Sequence, residues 1–528
     1  MLLKKYQSYL PFLFGLVVGI SFFNLDLLSP HSAHLPGDIG DGRFNHYLLE
    51  HAYRFFIGKV DSFWSAPFLY PEENVITYSD NLLGSAPFYA IFRLSGFNPE
   101  VSLQCWFVIT SALNYACCYF LFKYVFKNNY TAVIGAMVFA FSIALQSQMS
   151  HAQTFPRFAI PLTFLMGAMF LRELNPKYFF GLVFFLVYQM YCGLYLGFML
   201  FVPTILFLLF TLVYKYQAYI ARFKEIKWWA FMLIALVLNI VILLPLMIPY
   251  LQRTENVELY PYELVLKSVP TITSHFYSHY GSKFWEFLNE YGYHYESFWD
   301  HQIFAGGIAT ISFIASLIVL FGKTLRLNLF ARITMTHTAA TFFCTGLFTF
   351  LFFIRFENYS LYKVIHFLPG FASMRALQRI VNIELLFYSF AATYFLNLIF
   401  QNKNKYNALV FVLFVGFVYL DNHIGDDCTD RYTVAEAQQR KNNLLEKLKG
   451  IKEGSIISYE PDTIINNAVS YQLDAMMASQ AAGLKTLNGY TATSPVGYSA
   501  YWINPNEVSR LGWLKEKKLS PDSVIVIH

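Results

Sequence analysis

Two aspartates that lie three residues apart, Asp38 and Asp41, are the first residues whose type and spacing suggest chemistry. They belong to the stretch Leu35-Pro-Gly-Asp-Ile-Gly-Asp-Gly-Arg-Phe-Asn-His46, which directly follows an apolar segment. Its glycines let the backbone turn and approach a ligand closely. Two acids so placed can divide the work, since one can accept a proton while the other orients a nucleophile or holds a metal. The alternative is that both are ordinary solvated turn residues.

Three further polar residues are candidates for contact with a substrate. His46 follows the two acids, Asp80 precedes a short apolar segment, and His151 lies where an apolar segment ends. His151 could bind a phosphate or move a proton. Each has a structural alternative as well, because an aspartate before a helix commonly serves as its N-cap and an interfacial histidine commonly just donates a hydrogen bond.

Several arginines are expected at the outer ends of membrane spans, where the positive-inside rule disfavours positive charge. They are Arg157, Arg355, Arg375 and Arg379. Arg375 and Arg379 are four residues apart, a spacing that predicts a common face of one helix. Guanidinium groups bind phosphate through paired hydrogen bonds, so these residues indicate a phosphate site. The alternative is that they reach towards lipid headgroups.

Membrane helices must position these residues. The chain has 528 residues, of which 56% are hydrophobic and 13% charged, against about 25% charged in soluble domains. A span needs roughly 20 apolar residues, which predicts a mainly α, polytopic membrane protein with about 11 transmembrane helices. The predicted spans lie near residues 10–28, 102–122, 131–148, 157–171, 178–191, 194–214, 229–250, 303–322, 333–354, 379–400 and 406–420.

The basic residues predict the orientation of these spans. The short loops expected inside are basic, which places the N-terminus in the cytoplasm and, after eleven crossings, the C-terminus outside. The net charge of +5 then needs no nucleic-acid partner. We expect a transmembrane domain at residues 1–420, with outer loops at about 29–100 and 251–302, and an extracytoplasmic α/β appendage at 421–528. Within the appendage, residues 435–449 and 466–482 are predicted helices, and 455–458 and 524–528 predicted strands.

The motifs of several common enzyme classes are missing from the sequence. It contains no Walker loop, nucleophile elbow, dinucleotide fingerprint or paired CxxC motif. Nucleotide hydrolysis, serine hydrolase chemistry and a structural zinc site are therefore not indicated.

Several short motifs, in order along nearly the whole chain, resemble the GT-C superfamily of membrane glycosyltransferases, in particular a large and mostly uncharacterised bacterial branch. They are Pro36-Gly-Asp38-Ile-Gly-Asp41, Phe68-Leu-Tyr-Pro71, Tyr78-Ser-Asp80-Asn-Leu-Leu-Gly84, Ser150-His151, Phe304-Ala-Gly-Gly307, Leu368-Pro-Gly-Phe371 with Arg375 and Arg379, and Asn488-Gly-Tyr490 with Pro495 and Tyr498.

The resemblance implies a catalytic aspartate in the first outer loop, where Asp38 and Asp41 stand, and a polyprenyl-phosphate sugar as the donor. Some members of the superfamily need a divalent metal such as Mg or Mn and others do not. If a metal binds here, Asp38 or Asp41 would hold it. The sequence lacks the double-acid Asp-Glu and contiguous DxD motifs of the superfamily, so which aspartate is the base stays open.

The predicted function is an inverting glycosyl transfer with an aspartate as general base, on the outer face of the bacterial cytoplasmic (inner) membrane. The acceptor would be an envelope glycan, a lipid or a protein. The residues predicted to bind the donor phosphate are Arg375, Arg379, His151 and Arg157. The residues predicted to bind substrate are Asp80, Tyr70, His46 and His301. Two alternatives remain, a transporter or flippase for a lipid or solute, and a catalytically inactive GT-C-like protein of envelope assembly.

Overall fold

The apolar runs of the sequence form helices because a backbone in lipid must satisfy its own hydrogen bonds. The structure, a computed structural model, describes residues 9–28, 33–253, 260–292, 295, 297–322, 335–401, 405–425, 429, 431–462 and 468–528. Its fold is mainly helical. The helices before the C-terminal region are α1 Leu10–Leu28, α2 Asp41–Phe56, α3 Ala86–Leu94, α4 Pro99–Phe126, α5 Asn129–Ala140, α6 Ile143–Gln146, α7 Ala159–Glu173, α8 Pro176–Cys192, α9 Leu194–Tyr214, α10 Tyr216–Phe223, α11 Ile226–Arg253, α12 Tyr262–Lys267, α13 Gly307–Phe321, α14 His337–Phe353, α15 Lys363–His366, α16 Val381–Phe400 and α17 Asn407–Asn422.

Each of the eleven segments predicted to span the membrane overlaps a described helix, and the segment 131–148 is divided between α5 and α6. Among the described residues, six helical segments are long and apolar enough to cross a bilayer, namely Pro99–Phe126, Asn129–Gln146, Ala152–Glu173, Leu194–Tyr214, Ile226–Arg253 and Leu377–Phe400. Shorter apolar helices are Leu10–Phe22, Gly307–Phe321, His337–Phe353 and Asn407–Asn422. The protein is therefore a membrane protein, and the number of eleven crossings stays a prediction.

Helix α16 lies at the centre of the helical region. It packs against α5, α13 and α14, and most of its side chains are buried. Its contact with α5 is close because Gly135 faces Thr393, where an added Cβ would lie 1.8 Å from the threonine hydroxyl. Small residues at helix contacts allow such an approach in membrane proteins. Helix α16 is thereby held closely against α5.

Residues 431–528, named here the C-terminal unit, form a small α/β structure. Its elements are β4 Arg431–Thr433, α18 Val434–Lys447, β5 Ile456–Tyr459, α19 Ala468–Ala482, β6 Lys485–Thr486, α20 Ser499–Ile503, α21 Glu507–Glu516 and β7 Val524–Ile527. Strand β5 lies between β6 and β7 and is parallel to both. The predicted helices and strands of the appendage are therefore present, although the start of the helix predicted at 466–482 lies outside the described residues.

The C-terminal unit is joined to the segment between α1 and α4, named here the first loop. Strand β1, His34–Pro36, pairs antiparallel with β4. A shared hydrophobic core continues this contact, with Phe68 and Leu69 of the loop packed in one cluster with Leu473 and Leu487 of the unit. The boundary predicted near residue 421 stays a prediction, and the two parts on either side of it share this core. A separate hairpin of β2, Arg355–Phe356, and β3, Tyr359–Ser360, follows α14.

Candidate active site

A cavity of about 920 Å³ lies where the first loop, the segment before α16 and the C-terminal unit meet. Six of the residues predicted for the site line this cavity, namely Asp41, Asp80, His151, His301, Arg375 and Arg379. Asp38, His46, Tyr70 and Arg157 are not among its lining residues. Acids from the first loop and arginines from the segment before α16 therefore face the same space.

Asp41 is the first residue of α2, and a tight turn brings it there. The turn depends on Gly37, whose φ of +94° is a conformation that L side chains rarely adopt. The backbone at Gly37 also runs against Gly42, so an added Cβ at Gly37 would lie 2.9 Å from the Gly42 Cα. The N-terminal end of a helix favours negative charge, so the place of Asp41 as the first residue of α2 stabilises its ionised carboxylate.

Both carboxylate oxygens of Asp41 have hydrogen-bond partners. Oδ2 lies 3.0 Å from Nδ1 of His151, and Oδ1 accepts a hydrogen bond of 2.5 Å from the hydroxyl of Tyr490. The side chains of Asp41 and His151 each retain 28% exposure. Burial alone would raise the pKa of Asp41, but the bonds to His151 and Tyr490 and the charge of Arg379 outweigh it and hold the pKa below its ordinary value. Asp41 is therefore ionised at neutral pH.

Asp80 serves as a cap for a helix other than the one expected. Its Oδ1 accepts the backbone N–H of Leu194, the first residue of α9, at 2.5 Å, and that of Asn81 at 3.1 Å. The short helix α3, which follows it in sequence, begins instead after Ser85. Burial raises the pKa of Asp80, although these two amides and Arg379 act in the opposite direction. Oδ2 of Asp80 is buried without a hydrogen-bond partner among the described residues.

Arg379 carries the most unusual charge in the cavity. Its side chain is only 9% exposed, and its guanidinium lies 5.0 Å above the ring of Tyr195. Its Nε is buried without a hydrogen-bond partner, and no salt bridge joins Arg379 to any described residue. Its charge acts to lower the pKa values of Asp41, Asp80 and Asp300, although burial raises the pKa of the last two, so Arg379 lies near all three acids. Burying an unpaired guanidinium is costly, which indicates a site for an anion.

Arg375 and Arg253 add positive charge to the same space. Arg375 is exposed, and its backbone N–H donates to the hydroxyl of Tyr195 at 3.0 Å. Arg253, at the end of α11, donates to Oγ1 of Thr493 at 3.3 Å, while its Nε is buried without a partner among the described residues. The pKa of Tyr260 is raised by burial and by Tyr195, and both arginines act against this rise, so both lie near it.

The predicted helical face of Arg375 and Arg379 is wrong, although both residues reach the cavity. Residues 374–376 are not helical, Leu377–Ile380 form a 3₁₀ turn, and α16 begins only at Val381. The chain enters the bundle through this irregular segment, which turns Arg379 inward and leaves Arg375 exposed. Spacing alone does not reveal such a break, because no proline or glycine marks it.

Asp38 closes the turn that presents Asp41. Its Oδ1 accepts the backbone N–H groups of Gly42 at 2.9 Å and Gly40 at 3.2 Å. A carboxylate in this position satisfies amides at the start of α2, as an N-cap residue does. The structure therefore places the two aspartates in different surroundings, with Asp38 bound to the backbone and Asp41 facing the cavity.

The other predicted residues make structural contacts. His301 lines the cavity, but Nδ1 lies 2.8 Å from the hydroxyl of Ser274 and Nε2 lies 3.1 Å from the carbonyl of Lys267. His46 is buried, with Nε2 3.0 Å from the carbonyl of Pro99.

Tyr70 and Arg157 are also engaged away from the cavity. Tyr70 exchanges backbone hydrogen bonds with the C-terminal unit, donating to Thr486 at 3.0 Å and accepting from the indole of Trp513 at 3.1 Å. Arg157 is fully buried, and it donates to Oδ1 of Asn382 at 3.1 Å and to the carbonyl of Phe139. The predicted phosphate contact of Arg157 would need it to reach a cavity that it does not line.

Several cavity residues were not predicted for the site, among them Arg253, Asp300 and Tyr490. Asp300 accepts a hydrogen bond of 2.5 Å from Gln378, and burial raises its pKa despite the nearby His151, Arg379 and Arg375. Tyr490 belongs to a recognised motif, Asn488-Gly-Tyr490, which was a usable signal. Arg253 follows the predicted span 229–250 by three residues, so its position beside the end of a span was readable as well.

The residues that could hold a divalent metal do not form a metal centre. Among the described residues, no group of three or more His, Cys, Asp or Glu side chains is close enough to bind an ion. Asp41, the predicted ligand that faces the cavity, already accepts hydrogen bonds on both oxygens. The described donor set therefore does not fit a metal held by protein ligands, and the chemistry derived below uses only the side chains of this chain.

Comparisons with known proteins give similarity in structure and none in sequence. The sequence matches no model of a known protein family and no curated protein. Among solved structures, it is similar to the archaeal oligosaccharyltransferase AglB from Archaeoglobus fulgidus in complex with an inhibitory peptide and a dolichol-phosphate. That match has 12% identity, a TM-score of 0.44, and coverage of 98% of this chain and 69% of the other.

Two further structures of the Archaeoglobus fulgidus oligosaccharyltransferase are similar at the same level. The apo form matches at 11% identity and a TM-score of 0.47, covering 98% of this chain and 69% of its own. The form tethered to an acceptor peptide with an NVT sequon matches at 12% identity and 0.45, covering 98% and 68%. AglB belongs to the GT-C superfamily, which the sequence motifs resemble. Scores this low transfer neither substrates nor chemistry to this chain.

Proposed function

We propose that this chain is a membrane glycosyltransferase, which moves a sugar from a polyprenyl-phosphate donor to an envelope glycan, lipid or protein acceptor with inversion. The reaction takes place on the outer face of the bacterial cytoplasmic membrane, with the N-terminus inside and the C-terminus outside. The observation that carries the proposal is the cavity that Asp41 and Arg379 share, where an ionised acid and a buried cation without an ion pair among the described residues face one space.

The cation side of the cavity suits a phosphate leaving group. As the bond between the anomeric carbon and the phosphate oxygen breaks, the electron pair and its negative charge go to the phosphate. Arg379 supplies a fixed positive charge where this charge develops, and Arg253 and Arg375 add to it. Preorganised charge of this kind is usually the largest single contribution to catalysis. An apolar solute would gain nothing from a buried guanidinium, so the arginines favour an anionic substrate.

The acid side suits activation of a hydroxyl acceptor. The acceptor oxygen forms its bond to the anomeric carbon while its proton passes to the carboxylate of Asp41, which therefore acts as general base. His151, which lies 3.0 Å from Oδ2 of Asp41, orients the carboxylate and shares the proton once it has been transferred. Because attack and departure occur on opposite faces of the sugar, a single displacement inverts the anomeric configuration. This assigns His151 to the base rather than to the phosphate.

The positions of the charged residues favour transfer over transport. Transporters place ionisable groups near the bilayer midplane, between halves that rock against each other. Here the described acids and arginines of the cavity come from the first loop, the end of α11, the loop before α13, strand β2 and the segment before α16. They gather at one end of the helical region.

The proposal is tested in cells that lack the gene. We expect these cells to accumulate a polyprenyl-linked sugar and to lose one glycan modification of the envelope. The wild-type gene should restore both, and so should Asp38→Asn, whereas Asp41→Asn should restore neither although the protein is produced at the same level. Unchanged lipid-linked sugars in the deletion strain, or rescue by Asp41→Asn, would contradict the proposal.

A further inference from the structure

Tyr490 reaches the cavity from the far end of the sequence. It lies 449 positions after Asp41, and its hydroxyl donates a hydrogen bond of 2.5 Å to Oδ1 of that carboxylate. His151 holds the other oxygen of the same carboxylate. The ring of Tyr490 packs edge-on against Phe44, with centroids 5.6 Å apart and an interplanar angle of 83°. Asp41 is thus held from two sides by residues that belong to different parts of the fold.

The loop that carries Tyr490 is fixed within the C-terminal unit. The backbone N–H of Gly489 donates to Oε1 of Gln472 at 2.9 Å, and the N–H of Tyr490 lies 3.1 Å from the sulfur of Met476. Asn488 joins the loop to β5, since it exchanges hydrogen bonds of 2.8 and 3.1 Å with the backbone of Tyr459. Both Gln472 and Met476 belong to α19, so the helix and the sheet together set the position of the phenol.

The same loop is pressed against the first loop. The N–H of Leu69 donates to the carbonyl of Asn488 at 3.2 Å, and that of Thr486 donates to the carbonyl of Pro67 at 2.9 Å. An added Cβ at Gly489 would lie 2.4 Å from the side chain of Leu69, so this approach requires glycine.

Two salt bridges join helices α18 and α19 of the C-terminal unit to α4 and α2. Arg43, which is buried, pairs with Asp474 of α19 at 2.5 Å. Lys441 of α18 pairs with Glu100 at the start of α4, at 2.8 Å. Since Arg43 stands two residues after Asp41, one salt bridge fixes the helix that carries the acid to the helix that supports the Tyr490 loop.

From these contacts we infer that Tyr490 is a positioning residue for Asp41, and that the C-terminal unit is thereby an integral part of the active site. The inference rests on the proposed function, because it assigns a role in the transfer reaction. In this arrangement Asp41 accepts the proton of the acceptor, and Tyr490 orients the carboxylate of Asp41.

The phenol is suited to orient the carboxylate and not to exchange a proton with the substrate. Burial and the charge of Asp41 raise the pKa of Tyr490 far above its ordinary value. The hydroxyl therefore keeps its proton at neutral pH and donates a hydrogen bond to Oδ1 of Asp41. Without this donor only His151 orients the carboxylate, and small errors of geometry can cost about 100-fold in rate.

The test compares Tyr490→Phe with Tyr498→Phe in the full-length protein, assayed with lipid extract of the deletion strain as donor. Tyr490→Phe should lower kcat by about 10- to 100-fold while KM for donor and acceptor changes less than about twofold. Tyr498→Phe removes another buried phenol of the unit, which donates to the carbonyl of Leu487 at 2.9 Å and lies outside the cavity. It should lower the unfolding temperature and leave kcat unchanged. Full kcat in Tyr490→Phe, or equal losses in both variants, would overturn the inference.

A double-variant cycle on thermal unfolding separates this inference from the proposed function. If Tyr490 binds the Asp41 carboxylate, the shifts of Tyr490→Phe and Asp41→Asn should be non-additive in the double variant. Additive shifts would overturn the inference whether or not transfer is observed. Non-additive shifts in a protein that transfers no sugar would support the contact and refute the proposed function instead.

Discussion

The turn around Asp41 and the segment before α16 both line one cavity, and they differ in how their polar groups are satisfied. In the turn, Asp38 binds backbone amides and Asp41 binds His151 and Tyr490. In the segment, Arg375 is exposed and Arg379 is buried with an unpaired Nε and no described acid in a salt bridge. Both aspartates of the turn have protein partners, whereas no acid among the described residues forms a salt bridge with Arg379.

This difference indicates which side awaits a charged ligand. Buried polar groups in proteins are nearly always paired, and an unpaired one calls for an explanation. Arg157 is also buried, and its Nε also lacks a hydrogen-bond partner among the described residues, but its terminal nitrogens donate to Asn382 and to the carbonyl of Phe139, and it lies outside the cavity. The two arginines therefore differ in their surroundings, since the terminal nitrogens of Arg157 bind protein groups whereas Arg379 lines the cavity.

The largest expected effect comes from substitution of the aspartates in the turn. Asp41→Asn keeps the shape of the side chain but cannot accept the proton, so transfer should fall by about 100- to 10,000-fold. Asp38→Asn is the matched control, because an amide oxygen can still accept the N–H groups of Gly40 and Gly42, and it should retain most of the activity. The rates are measured on purified protein at matched amounts of folded material. Equal losses in the two variants would contradict the division of roles between these aspartates.

The second-largest expected effect comes from substitution of the arginines in the segment before α16. Arg379→Gln removes the charge that faces the leaving phosphate, so kcat should fall by about 100- to 1,000-fold. Arg375→Gln should cost about fivefold or less, because water screens the exposed group. The control is Arg222→Gln, which removes an exposed arginine paired with Glu225 outside the cavity and should have no effect. An Arg379→Gln variant as active as the control would remove the phosphate role.

A smaller effect sharpens the description of the base. Removal of His151 takes away a hydrogen bond and a charge that lower the pKa of Asp41, so in His151→Gln that pKa rises. A group with a depressed pKa stays ionised above it, and the wild-type rate should not fall through loss of Asp41 until the pH drops below the ordinary value of 3.8. The fall in rate at low pH, named here the acid limb of the pH profile, should lie at higher pH in His151→Gln than in the wild type.

The control for the pH profile is His528→Gln, which alters an exposed histidine outside the cavity. Its acid limb should coincide with that of the wild type when rates are recorded across a pH series. A limb in His151→Gln that stays at the wild-type position would mean that His151 does not influence the base.

The smallest expected effect concerns stability. Asp38→Ala loses the acceptor for the amides of Gly40 and Gly42, which should cost about 1 kcal/mol, as loss of an N-cap does. Thermal unfolding in detergent should show a lower transition for Asp38→Ala than for Asp38→Asn. Identical transitions would show that the cap contributes nothing.

The sequence located much of the fold, because its signals are local. Apolar runs of span length predicted the helices, and the glycine-rich stretch predicted the turn that presents Asp41. The positions of His151 and Arg379 beside the ends of predicted spans, and of Asp80 before a short apolar segment, were readable from the sequence. All three residues line one cavity.

The remaining features depend on contacts between distant segments. Nothing near Tyr490 predicts its bond to Asp41, since that bond follows from the pairing of β1 with β4 and from the packing of the Tyr490 loop on Leu69. For the same reason Tyr70, a predicted substrate residue, is found engaged with Thr486 and Trp513. Spacing within one segment cannot show which partner a distant part of the chain supplies.

The most direct measurement follows the sugar on the donor lipid and on the acceptor, in liposomes that contain the purified protein. Lipid extract of the deletion strain provides the donor, and cell-envelope material of the same strain provides the acceptor. The account predicts that sugar disappears from the polyprenyl phosphate and appears on the acceptor with the opposite anomeric configuration, in equal amounts, and that Asp41→Asn abolishes both changes. Movement of the lipid across the bilayer without any covalent product, or a product with retained configuration, would contradict it.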